Sequence, residues 1–265
     1  MLTTTEAAAA AAVAPSTIKR WADQGILPFS RTAGGHRRFE RFAIERLLRE
    51  QPVSISSGDP VATAWVRCLA DARRHEIDGR LLEAKARLGS WWQVADELAV
   101  ALAEMGNQWA CGRLTIADEH VASDALARAL ARVGDALPIR LDGPRCLLAC
   151  AAEDEHTLGL SLAELCLREL SWTPLWLGRR TPIGEVVRLV RGGQAAMVAL
   201  SASALLGDEQ ALRAIADEVG AACKERGVGL LLGGAGAWPA PPSYGVRVTS
   251  FADFHDYLTE RMERP

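Results

Sequence analysis

The sequence lacks any long uninterrupted hydrophobic segment, although 49% of its 265 residues are hydrophobic. No apolar run reaches the roughly 18 residues that a membrane-spanning helix requires. The first residues, MLTTTEAAAAAAVAP, also lack the basic region of a secretory signal peptide. We therefore expect a cytoplasmic protein without a membrane segment. The length allows two or three small domains of ordinary globular composition, with 24% charged residues.

The sequence also lacks a CxxC pair, the spacing that is typical of zinc and redox sites. Its six cysteines lie mostly inside apolar runs. We therefore expect buried, reduced thiols rather than disulfides or a zinc site.

Charge is distributed unevenly along the chain. Residues 1–50 contain eight Lys and Arg against five Asp and Glu, a net charge of +3. Because the whole chain carries −3, the remaining residues carry −6. A small basic segment on an acidic body indicates that this segment contacts a polyanion.

The residue pattern divides the chain into four segments. Residues 1–50 form the basic segment, and residues 51–60 are rich in Ser, Pro and Gly and are interpreted as a linker. Residues 61–140 are helical in pattern, with breaks expected near Gly79, Gly89 and Gly112. Four helices fit this stretch, and a four-helix bundle would bury their apolar faces.

Residues 141–265 have a different pattern. Short apolar runs such as RCLLACAA, AAMVALSAS and GVGLLLGG alternate with helical segments. This alternation predicts parallel βαβ units and a Rossmann-like domain, so the fold class is mixed α and α/β. Ligands of such sheets bind beyond the carboxyl ends of the strands.

The basic segment contains the elements of a winged helix-turn-helix. Pro15 and Gly25 mark the start and the end of a short helix, and Gly34 and Gly35 supply a tight turn. The strings PSTIKRW and TAGGHRRF, in this order, resemble the DNA-binding domain of MerR-family regulators. The resemblance implies a helix in the major groove and a wing on the DNA backbone or in the minor groove. The implied DNA-binding residues are Ser16, Thr17, Lys19, Arg20, Arg31, His36, Arg37 and Arg38.

A second pattern follows the first strand of the Rossmann-like segment. Asp154, His156 and Gly159 form a DxHxxG motif. A histidine at the tip of a buried strand can coordinate a ligand bound there. A carboxylate two residues earlier can accept the other ring N–H, which selects the tautomer and raises the basicity of the ligating nitrogen. Gly159 allows a bulky group to approach the backbone.

The DxHxxG motif is followed by a serine at the end of a later strand and then by a GG pair. This order resembles cobalamin-binding domains that take up the cofactor with its lower base displaced by histidine. The resemblance covers residues 144–265 and implies that His156 is the lower ligand of cobalt, supported by Asp154. Ser201 comes after 41 intervening residues, but only Ser203 begins a literal SxL, so both are candidates. The implied lining of the slot for the nucleotide tail is Gly159, Ser201 or Ser203, Gly233 and Gly234.

The helical segment contains a further match. Nine residues separate Trp109 from the pair Glu119 and His120. This spacing resembles the W-x9-EH motif of light-sensing, adenosylcobalamin-dependent MerR-type repressors of carotenoid genes. The resemblance implies that Trp109 covers the upper corrin face and that Glu119 and His120 meet the adenosyl group. In those sensors a histidine follows the tryptophan, whereas this chain has Ala110. The upper ligand after illumination is therefore left open between water and His120.

Other interpretations compete with these assignments. Trp109 by itself fits the core of a bundle, and Trp21 falls on the apolar side of its helix with Ile18, as a core residue would. The basic residues could form a solvated face. At the level of function, the alternatives are a corrinoid carrier of a methyltransferase system, or a MerR-type regulator that senses another tetrapyrrole or no cofactor. The expected partners are a DNA operator, cobalamin and further copies of the chain in a dimer or tetramer, and no enzymatic activity is expected.

Overall fold

The computed structural model describes residues 1–11, 15–23, 27–32, 34–41, 43–44, 60–70, 74–110, 112–140 and 142–263. The predicted linker lies outside these ranges except for Pro60, which opens a helix. Within the described residues, no helix is both long and apolar enough to cross a membrane. The chain divides into two compact units, one formed by Met1–Arg73 with Val100–Asp124 and the other by Arg74–Ala99 with Ala125–Pro265.

The described residues of the N-terminal segment include two short helices and a hairpin. Its elements are α1 (Thr4–Ala11), α2 (Pro15–Asp23), β1 (Phe29–Arg31) and β2 (Arg37–Phe39). A capping box begins α1, because Thr3 and Glu6 each donate a backbone N–H to the other's side chain, at 2.8 and 3.2 Å. Gly35 turns the hairpin at a φ of +80°, a conformation that favours glycine. The predicted helix and wing are therefore confirmed.

A small hydrophobic core holds these elements together. Ile18 and Phe39 are fully buried, and Trp21 is 3% exposed. Leu2 pairs with Phe39 through two backbone hydrogen bonds, which adds the chain start to the edge of the hairpin. The core interpretation of Trp21 is confirmed, and Trp21 is unsuited to contact DNA.

In the next segment, the part of the chain that the structure describes forms four helices. They are α3 (Pro60–Ala70), α4 (Arg74–Leu88), α5 (Trp91–Ala110) and α6 (Ile116–Ala136). The break expected near Gly79 is wrong, because Gly79 lies inside α4. A Cβ at Gly79 would meet nothing within 4 Å, so this glycine weakens the helix by about 1 kcal/mol relative to alanine without ending it. The breaks at Gly89 and Gly112 are confirmed, and both residues have positive φ.

The C-terminal segment is a parallel sheet with helical crossovers. Its elements are β3 (Arg145–Cys150), α7 (Leu158–Glu169), β4 (Thr173–Gly178), α8 (Ile183–Arg191), β5 (Met197–Ser201), α9 (Glu209–Arg226), β6 (Gly229–Gly233), β7 (Val246–Arg247) and α10 (Phe251–Glu263). The strand order is β4-β3-β5-β6-β7, and every pairing is parallel. The predicted mixed α and α/β class is confirmed.

The sheet is buried in its interior, as its apolar strands require. Leu147, Val198 and Leu230 on the three central strands are fully buried in one cluster with residues of α8 and α9. The cysteines that the structure describes are free and buried, as expected from the sequence. Burial raises the pKa of the Cys150 thiol to about 11, so this thiol is protonated near neutral pH.

Candidate cofactor site and DNA-binding surface

The DxHxxG motif, the candidate serines and the GG pair all lie at the same edge of the sheet, where β3, β5 and β6 end. Cys150, the last residue of β3, pairs with Ser201, the last residue of β5, and Ser201 pairs with Gly233 at the end of β6. Because β4 lies on the other side of β3, the direction of the winding reverses between β3 and β5. Open α/β sheets bind ligands at such a switch point.

Asp154 holds His156 in a defined orientation at this edge. The His156 ring donates Nδ1–H to Asp154 Oδ1 at 2.8 Å, and the His156 backbone N–H donates to the same oxygen at 3.0 Å. The carboxylate is an acceptor only, so this bond selects the tautomer in which Nε2 carries the lone pair. The His156 side chain is 58% exposed, whereas the Asp154 side chain is 1% exposed.

Asp154 also connects two loops. Its second oxygen accepts the backbone N–H of Ser203 at 2.5 Å, so the β3–α7 loop is bonded to the β5–α9 loop. Burial disfavours the charged form of Asp154, but the hydrogen bonds from His156 and Ser203 outweigh this effect. The pKa of Asp154 consequently lies below its ordinary value. The carboxylate is therefore ionised near neutral pH and accepts from both loops.

Gly159 and Ser201 lie next to each other at this edge of the sheet. A Cβ built on Gly159 would have Ser201 Oγ, at 3.6 Å, as its nearest neighbour, which is ordinary van der Waals contact. The protein's own packing therefore does not demand a glycine here. Ser203 has a different position, because its N–H bonds Asp154 and its hydroxyl is buried with no partner among the described residues.

Gly233 and Gly234 have different surroundings. A Cβ on Gly233 would lie 3.6 Å from Val248, which is tolerable contact, whereas a Cβ on Gly234 would lie 2.2 Å from the carbonyl oxygen of Ala202. Gly234 also has a φ of +81°. The close approach of the two strand-end loops thus requires glycine at position 234 independently of any ligand.

The residues of the W-x9-EH string flank one short connection. Trp109 lies in the last turn of α5, and Glu119 lies in the first turn of α6. His120 Nδ1 is 2.6 Å from one oxygen of Glu119, and Ser123 donates its hydroxyl to the other oxygen at 2.7 Å. Trp109 is half-buried and His120 is exposed. The side chain of Ala110 lies outside the described part of the structure.

The predicted DNA-contacting residues are mostly accessible. Ser16, Lys19, Arg31 and His36 are exposed on α2 and on the wing. Arg31 and Arg38 lie on opposite strands of the hairpin and carry cations to the same wing. The side chains of Thr17 and Arg20 lie outside the part of the structure that can be described.

Arg37 forms its contacts within the N-terminal segment, the DNA-binding head proposed for residues 1–50. Its guanidinium donates to Asp23 at 2.5 Å and to the Lys19 carbonyl at 3.1 Å, and it lies 4.8 Å from the centroid of the Phe29 ring. These contacts join the wing to α2. Arg37 thus has a structural function that the sequence did not indicate, because its partners come from elements that are remote in the chain.

Arg247 lies beside the GG pair, and the sequence motifs do not include it. Its guanidinium donates to the carbonyls of Leu232, Val248 and Gly234 at 3.0, 3.1 and 2.5 Å. An arginine inside the short apolar run GVRVTS was the only signal in the sequence.

Two family models match the chain. A helix-turn-helix domain matches residues 1–52, and a B12 binding domain matches residues 61–133. The HTH-type transcriptional repressor CarH of Myxococcus xanthus is 36% identical over 104 residues, which are 39% of this chain and 34% of CarH. The repressor CarA of the same organism is 41% identical over 70 residues, 26% of this chain and 24% of CarA.

These matches confirm the resemblance that the sequence predicted, to helix-turn-helix regulators that carry a B12 binding domain. The matched segment spans about a third of the length of CarH and about a quarter of that of CarA. Among solved structures, the monomethylamine corrinoid protein of Methanosarcina barkeri has a similar fold. Its TM-score is 0.57 at 15% identity, and the match covers 74% of this chain and 96% of that one.

Proposed function

We propose that this chain is a cobalamin-dependent transcriptional regulator and not an enzyme. More narrowly, we propose a light-responsive repressor that uses adenosylcobalamin as its chromophore. The observation that carries the proposal is the exposed imidazole of His156, oriented by the buried carboxylate of Asp154 at the switch point of a parallel sheet. The helix-turn-helix and B12 binding matches support the same function.

Each segment of the chain has its own part in this function. Residues 1–50 bind the DNA operator, residues 51–60 form a linker, residues 61–140 cover the cofactor, and residues 141–265 bind it. Dimers or tetramers would place several DNA-binding heads along one operator.

The residues at the sheet edge fit a corrinoid. Nε2 of His156 would ligate cobalt, because Nδ1 is bonded to Asp154. The space beside Gly159 that a Cβ would fill lies next to Ser201, and it suits a ligand that inserts between the sheet and its helices. When bound, adenosylcobalamin supplies a cobalt–carbon bond that light breaks. The protein's part is to hold the corrinoid and to respond to the loss of its adenosyl group.

We assign that response to the α5–α6 connection. Trp109 would cover the upper corrin face, and Glu119 with His120 would meet the adenosyl group. The two oxygens of Glu119 are bonded to His120 and Ser123, so a ligand that engages Glu119 and His120 would replace these hydrogen bonds at the start of α6. Such a change is a means of altering the arrangement of the DNA-binding heads.

The assignment of His156 as the lower ligand of cobalt is tested by titrating the purified protein with adenosylcobalamin in the dark and following its visible spectrum. We expect His156→Ala to abolish binding or to weaken it more than roughly 100-fold. Loss of a residue that only hydrogen-bonds to a metal ligand costs roughly 10–100-fold in affinity, and loss of the ligand itself should cost more. His36→Ala removes an exposed histidine of the wing and should leave binding unchanged. Equal affinity and an identical spectrum in His156→Ala would overturn the assignment.

The regulatory assignment is tested on DNA. Duplexes selected from a random pool by the cofactor-loaded protein in the dark should be released on illumination. If the protein binds the duplexes only when cobalamin is present, but equally in light and darkness, the light response is refuted and a cobalamin sensor is supported. Selection of the same duplexes by residues 61–265 alone would refute the assignment of DNA binding to the head.

A further inference from the structure

Arg247 is an unusual cation at the edge of the sheet that carries His156. It lies on β7, where it pairs in register with Leu232 of β6. Its three hydrogen bonds all go to backbone carbonyls, those of Leu232, Val248 and Gly234. Among the residues that the structure describes, no carboxylate lies within ion-pair distance of Arg247.

Arg247 therefore keeps its positive charge without a neutralising partner. Burial lowers the pKa of its guanidinium, yet arginine stays protonated in proteins. Arg180, another cation at this edge, is different because Glu153 and Glu155 each lie 3.1 Å from its guanidinium. The carbonyl groups that accept from Arg247 stabilise the cation but carry no negative charge, so the guanidinium remains a cation beside the GG turn.

The same guanidinium fixes the geometry of the turn. Gly234, at a φ of +81°, approaches the backbone of Ala202 closely, and its carbonyl is held by Arg247 Nη2 at 2.5 Å. On the other side, Trp238 donates its indole N–H to the carbonyl of Gly233 at 2.8 Å. The orientation of the turn thus depends on Arg247 as well as on the glycines.

We propose that Arg247 makes the GG turn selective for corrinoids that carry a phosphate-bearing nucleotide tail. It is a positioning residue for the turn, and its uncancelled charge favours the anionic tail over a ligand without one. This inference rests on the proposed function, because it requires a corrinoid at this edge of the sheet. It adds a specificity determinant outside the DxHxxG, serine and GG strings.

The test compares two ligands, adenosylcobalamin and adenosylcobinamide, which lacks the nucleotide tail. We expect Arg247→Gln to weaken binding of adenosylcobalamin at least tenfold and to change binding of adenosylcobinamide less than twofold. The preference of the unmutated protein for adenosylcobalamin should also decrease as salt is added, because screening weakens charge attraction. Arg247→Lys keeps the charge without the planar fork and should show an intermediate preference.

Arg213→Gln is the matched control, since Arg213 is an exposed arginine of α9 that pairs with Glu209. It should leave both affinities unchanged. An equal loss for both ligands in Arg247→Gln, or no loss for either, would overturn the inference and leave the proposed function standing. If the unmutated protein binds neither ligand, the proposed function itself fails. Should Arg247→Gln not fold, the ligand preference of Arg247→Lys decides, and a preference equal to that of the unmutated protein counts against the inference.

Discussion

The substitution Gly159→Ala tests whether position 159 requires glycine because of the fold or because of a bound ligand. Gly159 is the second residue of α7, and a Cβ there would meet only Ser201 Oγ, at 3.6 Å. Alanine therefore fits the protein without strain. In a helix, alanine is more favourable than glycine by up to about 1 kcal/mol, so we expect the free energy of unfolding to stay equal or rise slightly.

The effect on cobalamin binding should have the opposite sign. If Gly159 lines the slot for the nucleotide tail, the added methyl group overpacks it. Overpacking costs about 1–3 kcal/mol, which corresponds to an affinity loss of about 5- to 150-fold. The assay pairs urea unfolding of the free protein with a spectrophotometric titration of adenosylcobalamin in the dark.

Gly79→Ala is the control for this experiment, because a Cβ at Gly79 also meets nothing that hinders it and lies in the middle of α4. It should raise the stability similarly and leave the affinity unchanged. A Gly159→Ala protein that folds and binds adenosylcobalamin as tightly as the unmutated chain would show that Gly159 does not line the slot.

Two further predictions follow from the surroundings of single residues, and a third follows from the resemblance at position 110. Gly234→Ala should lower the free energy of unfolding by about 2–4 kcal/mol, because it combines positive φ with overpacking; urea unfolding checks this, with Gly233→Ala close to the unmutated value. Arg37→Ala should both lower the thermal stability of the head and weaken binding to all DNA sequences. Arg38→Ala should reduce only the DNA affinity and its dependence on salt. Calorimetry and DNA titrations at several salt concentrations separate the two effects, and equal stability of both variants would contradict the structural function of Arg37. Ala110→His should lengthen the lifetime of the illuminated state, as seen in the recovery of the dark spectrum, and an unchanged recovery would indicate that position 110 does not face the cofactor.

Much of the fold could be predicted from the sequence because its signals are local. Helical periodicity, short apolar strands and turn glycines are properties of neighbouring residues, and they indicated the winged helix-turn-helix, the four helices and the Rossmann-like segment. Where the local signal was ambiguous, the prediction was wrong, as at Gly79, since a helix glycine on an open face does not end a helix. The DxHxxG spacing likewise brought Asp154 and His156 within two residues, close enough for the hydrogen bond that the structure contains.

The sequence alone determined which residue types are available, and only the tertiary structure decided what each one contacts. Strand register aligned Cys150, Ser201 and Gly233 at one edge, and this alignment placed Ser201 beside Gly159 while Ser203 bonded Asp154. The two glycines of the GG pair differ for the same reason, because the backbone of a distant loop crowds only one of them. Such contacts join residues that are many positions apart, and they depend on how the sheet is wound, which no local pattern of residues encodes.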